Sequence, residues 1–174
     1  VYAGAGNDHI YLGDGDDTAY AGAGNDTIYG SIGDDAVDGG AGDDTIFATN
    51  GSDSIQGGTG LDTIKYSLTR SNYTLTLGES NSSVLEINTA TTDSFNTIER
   101  VVFSDKAVAL DIGSGEVGGS CYRIYKAAFN RTPDEGGLGY WIEQMDLGKT
   151  LIEVSAGFID SDEFRASYGT NPSN

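Results

Sequence analysis

Seven aspartates, Asp8, Asp17, Asp26, Asp35, Asp44, Asp53 and Asp62, recur at intervals of nine residues between Ala3 and Lys65. Each stands two places after a glycine and two places before a compact apolar residue, in turn Ile10, Ala19, Ile28, Val37, Ile46, Ile55 and Ile64. Carboxylates in such numbers serve either as acid/base pairs, as in glycoside hydrolysis, or as oxygen ligands for a hard cation. A strict period favours the cation, because acid/base work needs one pair and gives no reason for seven. The only histidine is His9 and the only cysteine Cys121, so neither a zinc cluster nor a nucleophilic triad can be assembled in the usual way, and we expect no enzyme in this chain.

The units read AGAGNDHIY, LGDGDDTAY, AGAGNDTIY, GSIGDDAVD, GGAGDDTIF, ATNGSDSIQ and GGTGLDTIK. Three residues such as Thr27-Ile28-Tyr29 alternate out, in, out, as a strand requires, and the Gly- and Asx-rich remainder turns the chain. Two units then make one coil, and coils stack as parallel strands about 4.8 Å apart. Asp8, Asp26, Asp44 and Asp62 fall along one edge, and Asp17, Asp35 and Asp53 along the other. Bare carboxylates at that spacing repel by about 3 kcal/mol per neighbouring pair at an effective dielectric of 20. Calcium, with oxygens at about 2.3–2.6 Å and six or more ligands, fits between them better than magnesium does. The remaining ligands are expected from turn carbonyls near Gly4, Gly6, Gly13, Gly15, Gly22, Gly24, Gly33, Gly40, Gly42, Gly51, Gly58 and Gly60. Three gaps on one edge and two on the other predict about five calcium ions. Units starting Gly30-Ser31 and Ala48-Thr49 lack one or both leading glycines, so the gaps joining Asp17, Asp35 and Asp53 are expected to be looser than those joining Asp8, Asp26 and Asp44.

The nonapeptide G-G-x-G-x-D-x-U-x, seven times in register, resembles the RTX, or haemolysin-type, repeats of bacterial type I secreted proteins. The resemblance implies a parallel β-roll with calcium between adjacent turns, in a secreted or bacterial cell-surface protein. Val1 and Tyr2 occupy the last places of an earlier unit, so further coils are expected upstream. The leading expectation is a calcium-switched folding and secretion module. The alternatives are an adhesion or anchoring module that contacts glycans or a surface protein, and an accessory domain of a secreted enzyme.

Composition agrees with calcium as partner. Nine basic against twenty-seven acidic residues give a formal charge of −18, which argues against nucleic acid or an anionic membrane surface. No apolar run is long enough to span a membrane, and no intrachain disulfide is possible.

After residues 1–65 the period fails. Residues 66–112 carry β-rich runs at Tyr73–Leu77, Val84–Ile87, Val101–Phe103 and Ala107–Leu110, read as four or five strands that cap the roll. Residues 113–119 are a Gly/Ser linker, and 120–170 a small helical domain of about four helices. Its helix signals are the amphipathic run Cys121, Ile124, Tyr125, Ala128 and Phe129, capping boxes at Thr132–Glu135 and Thr150–Glu153, a looser start at Asp160–Glu163, and Gly148 as a helix end. Its expected core is Phe129, Leu138, Trp141, Leu151, Val154, Phe158 and Phe164. The stretch Arg131-Thr-Pro133-Asp134-Glu-Gly-Gly137-Leu138-Gly-Tyr140-Trp141 resembles the signature of a helical domain of unknown function that accompanies RTX repeats. The fold class is therefore mainly β, a parallel β-roll solenoid with a β cap, followed by a small all-α domain.

The ninth repeat position is aromatic in four of the seven units. Coil geometry stacks Tyr11, Tyr29 and Phe47 on one sheet, with Tyr2 and Tyr20 on the other. Such a ladder either binds a sugar or protein partner or reinforces neighbouring strands.

Overall fold

Each repeat supplies one strand because its apolar residue can be buried only when the residues on either side face outwards. In the computed structural model, which describes residues 1–78, 81–111 and 135–168, the repeats form β1 (Tyr2–Ala5), β2 (His9–Tyr11), β3 (Thr18–Ala23), β4 (Thr27–Tyr29), β5 (Ala36–Ala41), β6 (Thr45–Phe47), β7 (Ser54–Thr59) and β8 (Thr63–Lys65). Odd strands pair with odd and even with even, in parallel and one coil apart, as in Ile28↔Ile46 and Val37↔Ile55. The apolar residues of all seven units are 5% exposed or less and form one column between the two sheets.

The sheets continue past the repeats through β9 (Tyr73–Thr76), β10 (Ser82–Glu86), β11 (Thr92–Asn96), β12 (Arg100–Val102) and β13 (Ala107–Ala109). One sheet has the order β1-β3-β5-β7-β11-β10-β9, the other β13-β12-β8-β6-β4-β2. β11 and β12 lie parallel on β7 and β8, with Phe95 beside Ile55 and Val101 beside Ile64, so they extend the core column by one more coil. β10 and β9 then add antiparallel strands that carry the sheet away from the parallel stack. Tyr66, Tyr73 and Phe103 pack together beneath this cap, with ring centroids 4.9–5.5 Å apart.

The two edges of the roll differ. On the Asp8–Asp62 edge β3, β5 and β7 run through the second and third residues of the next unit, as in Gly40↔Gly58 and Ala41↔Thr59. On the Asp17–Asp53 edge only single bridges, Asp14↔Ile32 and Ile32↔Asn50, join the turns. The cause lies in the sequence. Gly22, Gly40 and Gly58 take the positive φ of the second repeat position at no steric cost, whereas Ser31 holds φ 76° against its own Cβ.

Side chains at the fifth repeat position form a second ladder. Asn7 Oδ1 accepts the Asn25 N–H at 2.8 Å, Asn25 Oδ1 the Asp43 N–H at 3.0 Å, and Asp43 Oδ1 the Leu61 N–H at 2.9 Å. This accounts for the Asn or Asp found there in five of the seven units.

Residues 1–108 make one compact unit and 109–174 another. The described part of the second contains α1 (Glu135–Asp146), α2 (Leu151–Asp160) and α3 (Asp162–Tyr168). The expected helix at Cys121–Phe129, the Thr132–Glu135 box and the linker lie outside the described residues. Gly148 ends α1 with φ 90°. Thr150 and Glu153 form the expected capping box. For α3 the capping oxygen belongs to Ser161, which accepts the Phe164 N–H, while Asp160 pairs with Arg165 instead. Val154 and Phe158 are buried against Trp141 and Met145. Leu151, expected in this core, is 45% exposed, because the α1 side chains cover the later turns of α2 and not its first. Thr150→Ala removes the acceptor for the Glu153 N–H and should lower the stability of this unit by about 1 kcal/mol, read as a shift in its thermal midpoint.

Candidate metal centre

Stacking the coils brings the repeat aspartates into two columns, as the spacing predicts, but the carboxylates of Asp26, Asp35, Asp44 and Asp62 are each divided between two tasks. One oxygen reaches back and accepts the main-chain N–H of the aspartate one coil earlier. Asp26 Oδ1 takes the Asp8 N–H at 2.7 Å, Asp44 the Asp26 N–H at 2.8 Å, and Asp62 the Asp44 N–H at 2.9 Å. On the other edge Asp35 takes the Asp17 N–H at 2.9 Å and Asp53 the Asp35 N–H at 3.0 Å. The other oxygen is left over. The Oδ2 atoms of Asp8, Asp26, Asp35, Asp44 and Asp62 are buried with no hydrogen-bond partner.

Five of the seven aspartates, Asp26, Asp35, Asp44, Asp53 and Asp62, are at most 4% exposed. An unpartnered buried carboxylate oxygen costs several kcal/mol, so the arrangement is unfavourable until something positive meets it. Burial pushes Asp35, Asp44, Asp53 and Asp62 up. Asp53 rises to about 7, chiefly from desolvation, opposed by the N–H of Asp35 and reinforced by the charges of Asp93 and Asp35. Asp62 rises to about 6 for the same leading reason, and Asp35 and Asp44 rise as well.

The space beside the free oxygens is set by the first residue of each unit. A methyl group on Gly39 would collide with Asp44 Oδ2 and stand 2.6 Å from the carbonyl oxygen of Gly57 in the next coil. A methyl on Gly30 would stand 2.9 Å from Asp35 Oδ2. Free oxygen and carbonyl thus face a common space between coils. Among the described residues no three His, Cys, Asp or Glu side chains are placed to hold a metal by themselves, so a cation here would draw on main-chain carbonyls as well. Anionic and carbonyl oxygens without nitrogen or sulfur suit a hard ion such as calcium.

Sequence spacing found the seven aspartates but missed what lies around them. It overlooked the first-position glycines Gly30, Gly39 and Gly57, since it weighed glycine only for turn geometry. It also missed Asp93, whose Oδ1 accepts the Asp53 N–H at 2.9 Å, and Glu99, whose Oε2 accepts the Asp62 N–H at 2.8 Å. The available signal was the tetrad acid-x-apolar-x, preserved as Asp93-Ser94-Phe95-Asn96 and Glu99-Arg100-Val101-Val102 without its glycines.

The aromatic ladder is present. Tyr11, Tyr29 and Phe47 stack with centroids 4.6 Å apart and nearly parallel planes, Lys65 Nζ lies 5.3 Å over Phe47, and Tyr2 stacks on Tyr20. Tyr29 spends both ring faces on its neighbours and Phe47 lies between Tyr29 and Lys65, whereas Tyr11 stacks on Tyr29 alone and is 69% exposed.

A parallel β-solenoid with carboxylates stacked along both edges is a metal-dependent repeat scaffold. Residues 1–28, 11–46 and 47–65 match the family model of the RTX calcium-binding nonapeptide repeat (4 copies), and residues 121–174 that of a domain of unknown function (DUF4214). Residues 1–65 are therefore RTX repeats, which bind calcium and mark modules of type I secreted bacterial proteins. Among solved structures, the crystal structure of the extracellular lipase LipA from Serratia marcescens is similar over 53% of this chain, at 18% identity and a TM-score of 0.42. The chain spans 14% of the length of that lipase, and a likeness this slight carries no argument about function. No curated protein matches the chain.

Proposed function

We propose that this chain carries a calcium-folded module of a secreted or cell-surface bacterial protein, with Asp8, Asp17, Asp26, Asp35, Asp44, Asp53 and Asp62 as its carboxylate ligands. The observation that carries the reading is the series of buried Oδ2 atoms left without partners in successive coils. Carbonyls of the glycine turns complete each ligand set, about five ions lie between repeat turns, and the formal charge falls from −18 to about −8. Calcium is scarce inside cells and plentiful outside, so a chain of this kind stays unfolded until exported and folds on arrival. The division we propose is a roll at 1–65, a cap at 66–112, a linker at 113–119 and a helical domain at 120–170. The face-to-face stacking of Tyr11, Tyr29 and Phe47 supports strand reinforcement over a glycan platform, and we assign the chain no catalytic role.

Calcium titration of the full chain, followed by circular dichroism, tests the reading. Asp26→Ala removes a carboxylate from two gaps on the regularly paired edge, whereas Asp53→Ala removes one from a single repeat gap on the bridged edge. The calcium needed for half-folding should rise more for Asp26→Ala than for Asp53→Ala. A β signal indifferent to calcium would overturn the assignment, and equal shifts would remove the difference between edges.

A further inference from the structure

The cap has no repeat motif, yet it completes one more gap on the Asp62 edge. Asp62 is fully buried and its Oδ2 has no partner. A methyl group on Gly57 would stand 2.6 Å from that oxygen and collide with the main-chain carbonyl of Thr97. This is the arrangement at Gly39, where Asp44 Oδ2 and the Gly57 carbonyl crowd the same position. Thr97 thus places its carbonyl where a further repeat would place that of its first glycine. It is held there at φ 48°, with its hydroxyl accepting the Gly58 N–H at 2.8 Å. Glu99, reaching the Asp62 N–H with Oε2, stands where the next repeat aspartate would stand.

We infer that Asp62, Thr97 and Glu99 form a divalent-cation site, selective for calcium, between the last repeat coil and the cap. The inference rests on the calcium reading above and extends it to residues outside the repeats. The longer glutamate is suited to the gap because β12 joins β8 through Glu99 and Arg100, whose N–H groups both donate to the Asp62 carbonyl. The opposite edge ends differently. Asp93 faces Asp53 as Glu99 faces Asp62, but its Oδ2 accepts the Tyr66 hydroxyl at 2.9 Å while its Oδ1 holds the Asp53 N–H. Both oxygens of Asp93 are satisfied by protein donors, and that edge closes without an ion.

Equilibrium dialysis of the full chain against calcium counts the sites directly. The wild type should bind one ion more than the repeat gaps supply, about six in place of about five. Glu99→Gln keeps an acceptor for the Asp62 N–H but removes the charge, and should bind one ion fewer with an unchanged β signal at saturation. Asp93→Asn should bind as many as the wild type. An unchanged count in Glu99→Gln, or equal losses in both variants, overturns the inference and leaves the repeat sites untouched. A wild type that binds no calcium overturns the broader reading instead. If Glu99→Gln does not regain the wild-type β signal, Glu99→Asp decides. Its shortened arm should weaken one site and spare the others, and uniform affinities would sink the proposal.

Discussion

Chelation of calcium at pH 8 is expected to abolish the β signal of residues 1–108 and to leave the helical signal of residues 109–174 in place. Five of the repeat carboxylates keep a buried oxygen unmet and Asp53 is itself buried, so without a cation their desolvation and mutual repulsion oppose folding. The helical unit has its own capping box and its own core at Val154 and Phe158, which contain none of these groups. Acid should partly replace calcium. An aspartate whose folded value is raised binds its proton more tightly in the folded state, so its stabilising contribution is complete below the unfolded value near 4 and is lost as pH rises through the folded value. For Asp53, raised to about 7, the loss by pH 8 amounts to about 4 kcal/mol. Asp62, raised to about 6, adds to it in the same direction. Metal-free chain brought from pH 8 to pH 5 should therefore recover β structure, and the calcium needed for half-folding should be greatest at pH 8, where protons neutralise the fewest of these carboxylates. Circular dichroism in chelator across this range decides it. A β signal that survives chelation at pH 8, or one that fades on acidification to pH 5, would contradict the account.

Gly40→Ala should be among the most damaging single substitutions in the roll. Gly40 takes φ 102°, where an L side chain is strained by about 1–3 kcal/mol. A Cβ there would also run into the carbonyl oxygen of Gly22 in the preceding coil, and crowding of a packed interior costs about 1–3 kcal/mol more. The carbonyl is main chain in a parallel ladder and cannot rotate away. Gly4 is the control, because it shares the positive φ of 111° but a Cβ there meets nothing within 4 Å. Urea unfolding in saturating calcium should show Gly40→Ala destabilised by about 3 kcal/mol or more and Gly4→Ala by about 1 kcal/mol. Equal losses would mean that backbone strain alone, and not the close stacking of coils, governs these positions.

Strand β11 shows where legibility ended. It reads Thr92-Asp-Ser-Phe-Asn96, one apolar residue among four polar ones, and by composition it is a turn. None of the runs picked out between 66 and 112 includes it. It is a strand because β7 presents an unpaired edge with Ile55 beside it, and Phe95 fills the next place in the core column. Local propensity is weak for so short a segment, and the tertiary partner decides. Leu151 fails in the opposite sense, being apolar and at helical spacing yet exposed, because the sequence cannot say how far along α2 the side chains of α1 extend.

The repeat itself was legible down to the register of its coils. Period, core column, edges, ring ladders and the stacking of Asp8 to Asp62 all follow from a local rule applied seven times, since a structure built of identical steps leaves the chain no other register. The use made of each carboxylate was not. That one oxygen binds a main-chain N–H of the preceding coil, that the other faces a space kept open by the absent Cβ of Gly39 or Gly57, and that Asp93, Glu99 and Tyr66 finish the two columns differently are facts of tertiary contact, the hydrogen bonds among them joining residues eighteen to forty positions apart. Sequence period places such residues in the same row. Only the packed coils, with their fixed spacing and excluded water, determine which atoms meet and which are left for a cation.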